Sequence, residues 1–235
     1  MEIILTKLLL AHIIGDFFLQ PEKWVKNKEK KTWRSPYLYL HVAVHFTLIM
    51  ILLQDLALWD IALFIAGTHL LIDLVKIGFQ REETRLVWFI SDQIAHLAVI
   101  LFIWYHIWVD VNLFPLSFEI WIVLTGLLFI TYPASIFIQK LMEQWSDQIM
   151  IDNSESLSGA GRFIGILERL FVFTAVVAGY LQIIGFLLAA KSIFRFGDLT
   201  RSKDRKLTEY ILVGTLLSFL IAIATGMAVS YFTAF

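Results

Sequence analysis

The sequence predicts an all-α fold, a polytopic integral membrane bundle, and three observations carry that expectation. Of 235 residues, 59% are apolar and only 17% charged, against about 45–50% and about 25% in an ordinary soluble domain. The apolar residues gather into runs of the length, about 20 residues, that crosses a hydrocarbon core. A chain of 235 residues has room for six to seven such transmembrane helices and short loops, and none for a separate soluble catalytic domain. The 19 Lys and Arg are balanced by 20 Asp and Glu, so no excess of positive charge points to nucleic acid as a partner. Zero cysteines exclude disulfides, thiolate metal ligands and a thiol nucleophile.

Taken in order, the runs cover about residues 3–20, 37–54, 61–79, 87–109, 118–140, 163–194 and 209–233. The first has no basic segment before it and no small-residue cleavage pattern after it, so it reads as a retained helix. The run at 163–194 is long for one helix, and Gly179 and Gly185 interrupt its middle. It is expected to turn back as a re-entrant hairpin packed inside protein, the alternative being an ordinary seventh helix. No repeat or low-complexity tract divides the chain. It is read as one membrane domain, with a four-helix core over 1–110 and C-terminal helices and a basic loop over 111–235.

Basic residues in short loops set the orientation. Lys23, Lys26, Lys28, Lys30, Lys31 and Arg34 lie in loop 21–36, and Arg81 and Arg85 in loop 80–86, whereas the loops between hold Asp55, Asp60 and Asp110 without Lys or Arg. Loops 21–36 and 80–86 are therefore expected on the cytoplasmic side and the N-terminus outside. The basic segment Arg195, Arg201, Lys203, Arg205 and Lys206 obeys the same rule only if 163–194 is a hairpin. Tryptophans fall in two belts, Trp24, Trp33, Trp88 and Trp145 toward one side and Trp59, Trp108 and Trp121 toward the other. The basic loops are expected to meet anionic headgroups.

Five of the six histidines follow a pattern. The first four helices carry, in order, His12 and Asp16, His41 and His45, His69 and Asp73, and Asp92 and His96. Each pair is spaced i, i+4, so both side chains share one helix face. At about 1.5 Å of rise per residue, all four pairs lie roughly 6–15 Å below the same surface. Ionisable groups inside a bilayer cost several kcal/mol unless paired, and neutral imidazole with carboxylate is a ligand set for a divalent metal. The expected ligands are His12, Asp16, His41, His45, His69, Asp73, Asp92 and His96. Zinc is the expected ion, with manganese or iron as alternatives, in one or two copies; one ion would leave some aspartates to orient imidazoles. A proton- or ion-conducting layer and purely structural pairing are the competing readings. His106, near the outer end of its helix, reads as interfacial.

A second polar set closes the chain's apolar part. Arg162, Arg169, Lys191 and Arg195, with Lys76 from the third helix, form a candidate anion site for the substrate; the alternative for Lys191 and Arg195 is snorkelling to headgroups. Glu168 and Arg169, being adjacent on a helix, are not expected to pair with each other.

The stretches LLLAHIIGDFFLQ, HVAVH, THLLIDLVK and DQIAH resemble the bacterial membrane family called domain of unknown function 3307, over roughly residues 5–110. GRFIGILERL, GFLLAAKSIFRFGD and EYILVGTLLS look like stretches of its longer members. The family implies no particular reaction. A looser similarity, in size and in His and Asp on membrane helices, links the chain to membrane-bound metal-dependent hydrolases, although no HExxH motif is present.

These readings converge on a protein of the bacterial inner membrane that is a metal-dependent hydrolase of a lipid-linked or amphiphilic phosphoester, with Asp73 or Asp92 as general base. A divalent-cation or proton transporter using the same layer, and a non-enzymatic membrane partner protein, are the other two function classes that fit.

Overall fold

The structure is a computed structural model that describes residues 2–106, 116–146, 159–195 and 204–234. Trp108, Asp110, Arg201 and Lys203, used above for orientation, lie outside the described residues, as do the side chains of Arg195 and Arg205. Every regular element among the described residues is helical. Five helical segments, Pro36–Leu53, Leu56–Phe79, Glu82–His106, Phe118–Ser146 and Lys206–Thr233, are long and apolar enough to cross a membrane. The chain forms two compact units, Met1–Trp121 and Ile122–Phe235.

In the first unit α1 (Glu2–Ile13) runs into a π-helical turn, Ile14–Phe18, followed by α2 (Glu22–Lys31), α3 (Pro36–Leu53), α4 (Trp59–Phe79) and α5 (Arg85–His106). α1 packs on α3 and α5, α3 on α4, and α4 on α5, so these four close a ring. Their inward stripe is apolar on one side of the His and Asp level: Ile4, Leu8 and Ala11 meet Ile49, Leu53, Ala62, Ile65 and Ile100 in one buried cluster. The outward faces are apolar as well, with Leu63, Phe64, Leu71, Val87, Ile94 and Leu101 exposed, as expected of helices that face lipid on one side and protein on the other.

The local sequence explains where these helices stop. Pro36 sits in the first turn of α3, where a missing N–H costs nothing, and Gln54 ends α3 in the left-handed region at φ 54°. The Asp55 side chain then accepts from the Ala57 N–H at 2.9 Å and starts the short turn into α4.

Loop 21–36 is mostly helical. α2 carries its charges on two faces: Lys23, Lys26, Lys30 and Lys31 are exposed, while Lys28 is buried. Trp24 stacks on Tyr37 at 5.5 Å, Ser35 Oγ donates to Asn27 at 2.8 Å, and Glu29 accepts from Arg85 at 3.0 Å and from Gln80 at 3.2 Å. α2 is thereby tied to the start of α3 and to the turn between α4 and α5.

The second unit holds most of α6 (Phe118–Phe129), with α7 (Tyr132–Ser146), α8 (Ala160–Val177), α9 (Gln182–Arg195) and α10 (Asp204–Thr233). The run expected as one helix over 118–140 is broken at Ile130 and Thr131. Pro133 explains the break, since it lacks the N–H that would bond four residues back. α10 lies close to α8 and to α6: a Cβ on Gly226 would stand 2.8 Å from Val176 of α8, and one on Gly126 of α6 2.8 Å from Val229.

The run at 163–194 does turn back on itself. Gly179 adopts φ 78° just after α8, a conformation that favours glycine. The Tyr180 N–H returns to the Ala175 carbonyl at 2.8 Å, and Lys191 of α9 reaches Glu168 of α8 at 2.7 Å. That ion pair straddles Gly179 almost symmetrically, so α9 runs back along α8.

Candidate metal centre

The ring of α1, α3, α4 and α5 brings all eight predicted ligands into one buried cluster. Three overlapping groups have ligand atoms within 4.8 Å of one another: His12, Asp16, His45 and His69; His41, His69 and Asp73; and Asp16, Asp92 and His96. The i, i+4 spacing produces this directly, because each helix offers two neighbouring groups to the axis of the ring. The rings themselves are in contact, His69 lying 3.8 Å from His96 and 3.9 Å from His45 between centroids.

Asp16 is the hub. It lies in the π-helical turn, where the Leu19 N–H bonds the Ile14 carbonyl at 2.9 Å and the backbone widens by one residue; such bulges recur at functional sites. Imidazole Nε2 atoms approach its carboxylate from four sides: His45 at 3.0 Å, His41 at 3.2 Å, His69 at 3.4 Å and His12 at 3.8 Å. Gly15, next to it, gives His45 its space, since a Cβ there would stand 2.5 Å from His45 Cε1.

The other two aspartates each carry a lysine. Lys28 Nζ is 2.6 Å from Asp73 Oδ2, and Lys76 Nζ is 2.7 Å from Asp92 Oδ2. Three carboxylates thus face two ammonium groups, which leaves the cluster one negative charge when its histidines are neutral. Gln93 stitches the layer together: its Oε1 lies 3.2 Å from His12 Nε2, and its amide donates to Asp16 at 3.1 Å and to Asp92 at 3.2 Å.

Some buried atoms stay unsatisfied. His41 Nδ1, Asp92 Oδ1 and His96 Nε2 are buried without a hydrogen-bond partner, His96 Nε2 and Asp92 Oδ1 facing each other at 3.3 Å. Buried polar atoms normally find partners, and a cluster of lone pairs with a net negative charge suits a cation. These His and Asp groups could hold a metal ion.

On the side away from α2 the layer is closed. One turn beyond each inner histidine stands a buried apolar residue, Leu8 beyond His12, Ile49 beyond His45, Ile65 beyond His69 and Ile100 beyond His96, all in one cluster. On the side of α2 the groups are polar, with the Lys76 side chain 23% exposed and that of Asp16 10%.

The predicted anion-site residues of the second unit have other partners. Arg169 is buried and donates to the carbonyls of Ile130 and Thr131 and to Ser135 and Ser218. Lys191 pairs with Glu168, and Arg162 is exposed, donating to Gln139 at 3.3 Å. Arg195 is the last residue of α9. His106 is exposed, with Nδ1 2.8 Å from the Phe102 carbonyl.

Sequence reasoning missed Lys28, Gln93 and Gly15. Lys28 has a signal in the sequence, because it follows Trp24 by four residues and so shares the face of α2 that an aromatic anchors. Gln93 is neutral and adjacent to Asp92, so a search for ionisable pairs passes over it.

A family described as a protein of unknown function (DUF3307) matches residues 4–125, just over half of the chain. No curated protein and no solved structure matches. All eight ligand candidates, Lys28, Lys76 and Gln93 fall inside the matched segment, and the chain belongs to the DUF3307 family.

Proposed function

We propose that the chain is a metal-dependent hydrolase of the bacterial inner membrane, with one divalent ion, zinc by preference, held by His12, Asp16, His45 and His69. The observation that carries this reading is the environment of Asp16. It is the one aspartate of the three without a lysine, and four imidazole nitrogens lie within 3.8 Å of it. Ligands on one tetrahedral zinc stand roughly 3.3 Å apart, given zinc–nitrogen bonds of about 2.0–2.1 Å, and Asp16 stands 3.0 Å from His45 Nε2, 3.4 Å from His69 Nε2 and 3.8 Å from His12 Nε2. His41, His96, Asp73 and Asp92 then surround the ion and orient its ligands.

When bound, a divalent ion supplies Lewis acidity, which acidifies a water and polarises a phosphoryl or acyl oxygen. Asp92, whose Oδ1 faces His96 Nε2 at 3.3 Å while Oδ2 takes the Lys76 ammonium, is the first candidate for proton acceptor, and Asp73 the second. Lys76 is the charged group of the cluster most open to the exterior and is suited to hold an anionic headgroup. A site below the membrane surface, open on the side of α2, suits a headgroup-proximal bond of a lipid-linked or amphiphilic phosphoester. Beyond the histidines the buried residues are apolar apart from Thr6 and Lys7 of α1, which favours a one-sided site over a transport path with polar groups continuing outward.

Protein purified without chelator is expected to carry one equivalent of divalent metal by elemental analysis, and His45→Ala and His69→Ala to carry less than a tenth of that. Metal-free wild-type protein overturns the reading. With metal present, phosphate or headgroup release from vesicles of phosphoester lipids tests the hydrolase; uptake of metal into liposomes without hydrolysis would replace it with a transporter.

A further inference from the structure

The two lysines divide the cluster in a way that bears on how many ions it takes. Of the three overlapping ligand groups, the one formed by His12, Asp16, His45 and His69 contains no lysine partner, whereas each of the other two contains an aspartate with an ammonium on it, Asp73 with Lys28 and Asp92 with Lys76. Each flanking group is therefore a cation position already filled by the protein.

We propose that His41 and Asp73, 4.0 Å apart, form a second divalent-cation site, its other ligands water, in which the Lys28 ammonium stands in for the ion, and that α2 delivers or withdraws it. This rests on the metal reading of the cluster. The groups are built for it: His41 and Asp73 are buried, and their ligand atoms lie within 4.8 Å of that of His69, which belongs to the first ion. His41 Nδ1 has no hydrogen-bond partner. Lys28 Nζ sits 2.6 Å from Asp73, with its side chain only 6% exposed.

The two lysines differ in what carries them. Lys76 lies on α4, three residues from Asp73 on the helix that supplies ligands, so its backbone is part of the ring. Lys28 lies on α2, outside the ring, and α2 is held mainly by polar contacts: Glu29 with Arg85 and Gln80, Asn27 with Ser35, and Trp24 stacked on Tyr37. The ion pair among them, Glu29 with Arg85, is about a third exposed, and a pair at that exposure contributes modestly. With Lys28 in place the cluster has one negative charge, which a single divalent ion more than neutralises. Without it the cluster has two, and the ligands of Asp73 are free for a second ion. Binding of that ion and docking of α2 are then mutually exclusive, and by linkage each weakens the other.

Zinc titration of the full-length protein in detergent tests this. Wild type is expected to bind one equivalent tightly, Lys28→Met two, with affinity for the second at least tenfold above wild type, and Lys28→Arg to return to one. A second measurement does not depend on that variant folding. The chain has no cysteine, so Ser35→Cys, at a position 0% exposed under α2, provides a unique thiol. Its maleimide labelling is expected to rise at least fivefold between one and several equivalents of zinc. Folded Lys28→Met that binds one equivalent, or thiol labelling indifferent to zinc, overturns the proposal and leaves the primary site standing. Wild type that binds no zinc overturns both.

Discussion

Gly15→Ala is expected to abolish metal binding and to lower the melting temperature, against the usual effect of the substitution. Within a helix, alanine is favoured over glycine by about 0.5–1 kcal/mol, so the expected sign is itself diagnostic. The added Cβ would stand 2.5 Å from His45 Cε1 and 2.6 Å from Nε2. The ring has nowhere to retreat, being packed edge-on to His41 at 4.6 Å and against His69 at 3.9 Å, with Nε2 3.0 Å from Asp16. Either His45 leaves the cluster or the π-helical turn shifts and moves Asp16. Both remove a ligand of the proposed ion, so retained zinc is expected to fall below a tenth of wild type. Gly67→Ala is the control, since nothing lies within 4 Å of a Cβ there, and it should be neutral or slightly stabilising. Gly15→Ala protein that keeps wild-type metal content and melts no lower would show that the fit of His45 over Gly15 is not needed.

That coupling between a small residue and a ring also marks the boundary of what the sequence reveals. The four ring helices of the first unit and the eight ligand candidates were legible because one rule, the recurrence of a helix face every three to four residues, places each pair without any knowledge of neighbours. The family resemblance points to the same stretches. Gly15 was not legible in this way: its role depends on which ring from α3 passes over it, a fact of packing between distant segments. The π-helical turn escaped for a related reason, since one extra residue in a turn leaves the apolar pattern of α1 nearly unchanged.

Lys28 was assigned to a lipid-facing loop because charge counting treats loop residues alike. In the structure α2 has two faces, and the same basic run supplies both exposed lysines and the counter-ion of Asp73. The hairpin at 163–194, by contrast, was foreseen from length, charge and Gly179 together. The break after α6 was signalled by Pro133 and overlooked, as the apolar run continues unchanged across it.

Arg169→Met is expected to destabilise the protein by at least about 3 kcal/mol, the scale for stranding several buried acceptors at about 1–3 kcal/mol each. The break between α6 and α7 presents the backbone carbonyls of Ile130 and Thr131 as acceptors in an apolar interior, that of Thr131 also accepting from the Ser135 N–H at 3.1 Å. Arg169 of α8 takes them: its Nε and Nη2 donate to the carbonyls of Ile130 and Thr131, while the remaining donors reach Ser135 of α7 and Ser218 of α10. One guanidinium thus joins three helices at the point where the chain is interrupted, and methionine fills its volume but donates nothing. Arg169→Lys should be intermediate, because an ammonium is a compact charge that cannot span the same fork of acceptors. Arg162→Met, at an exposed position on the same helix, should change stability by no more than about 0.5 kcal/mol. Thermal melting in detergent, with hydrolysis of phosphoester-lipid vesicles measured on each variant, separates this role from substrate binding. If Arg169→Met melts like wild type and loses turnover alone, Arg169 belongs to the anion site and the helix junction does not depend on it.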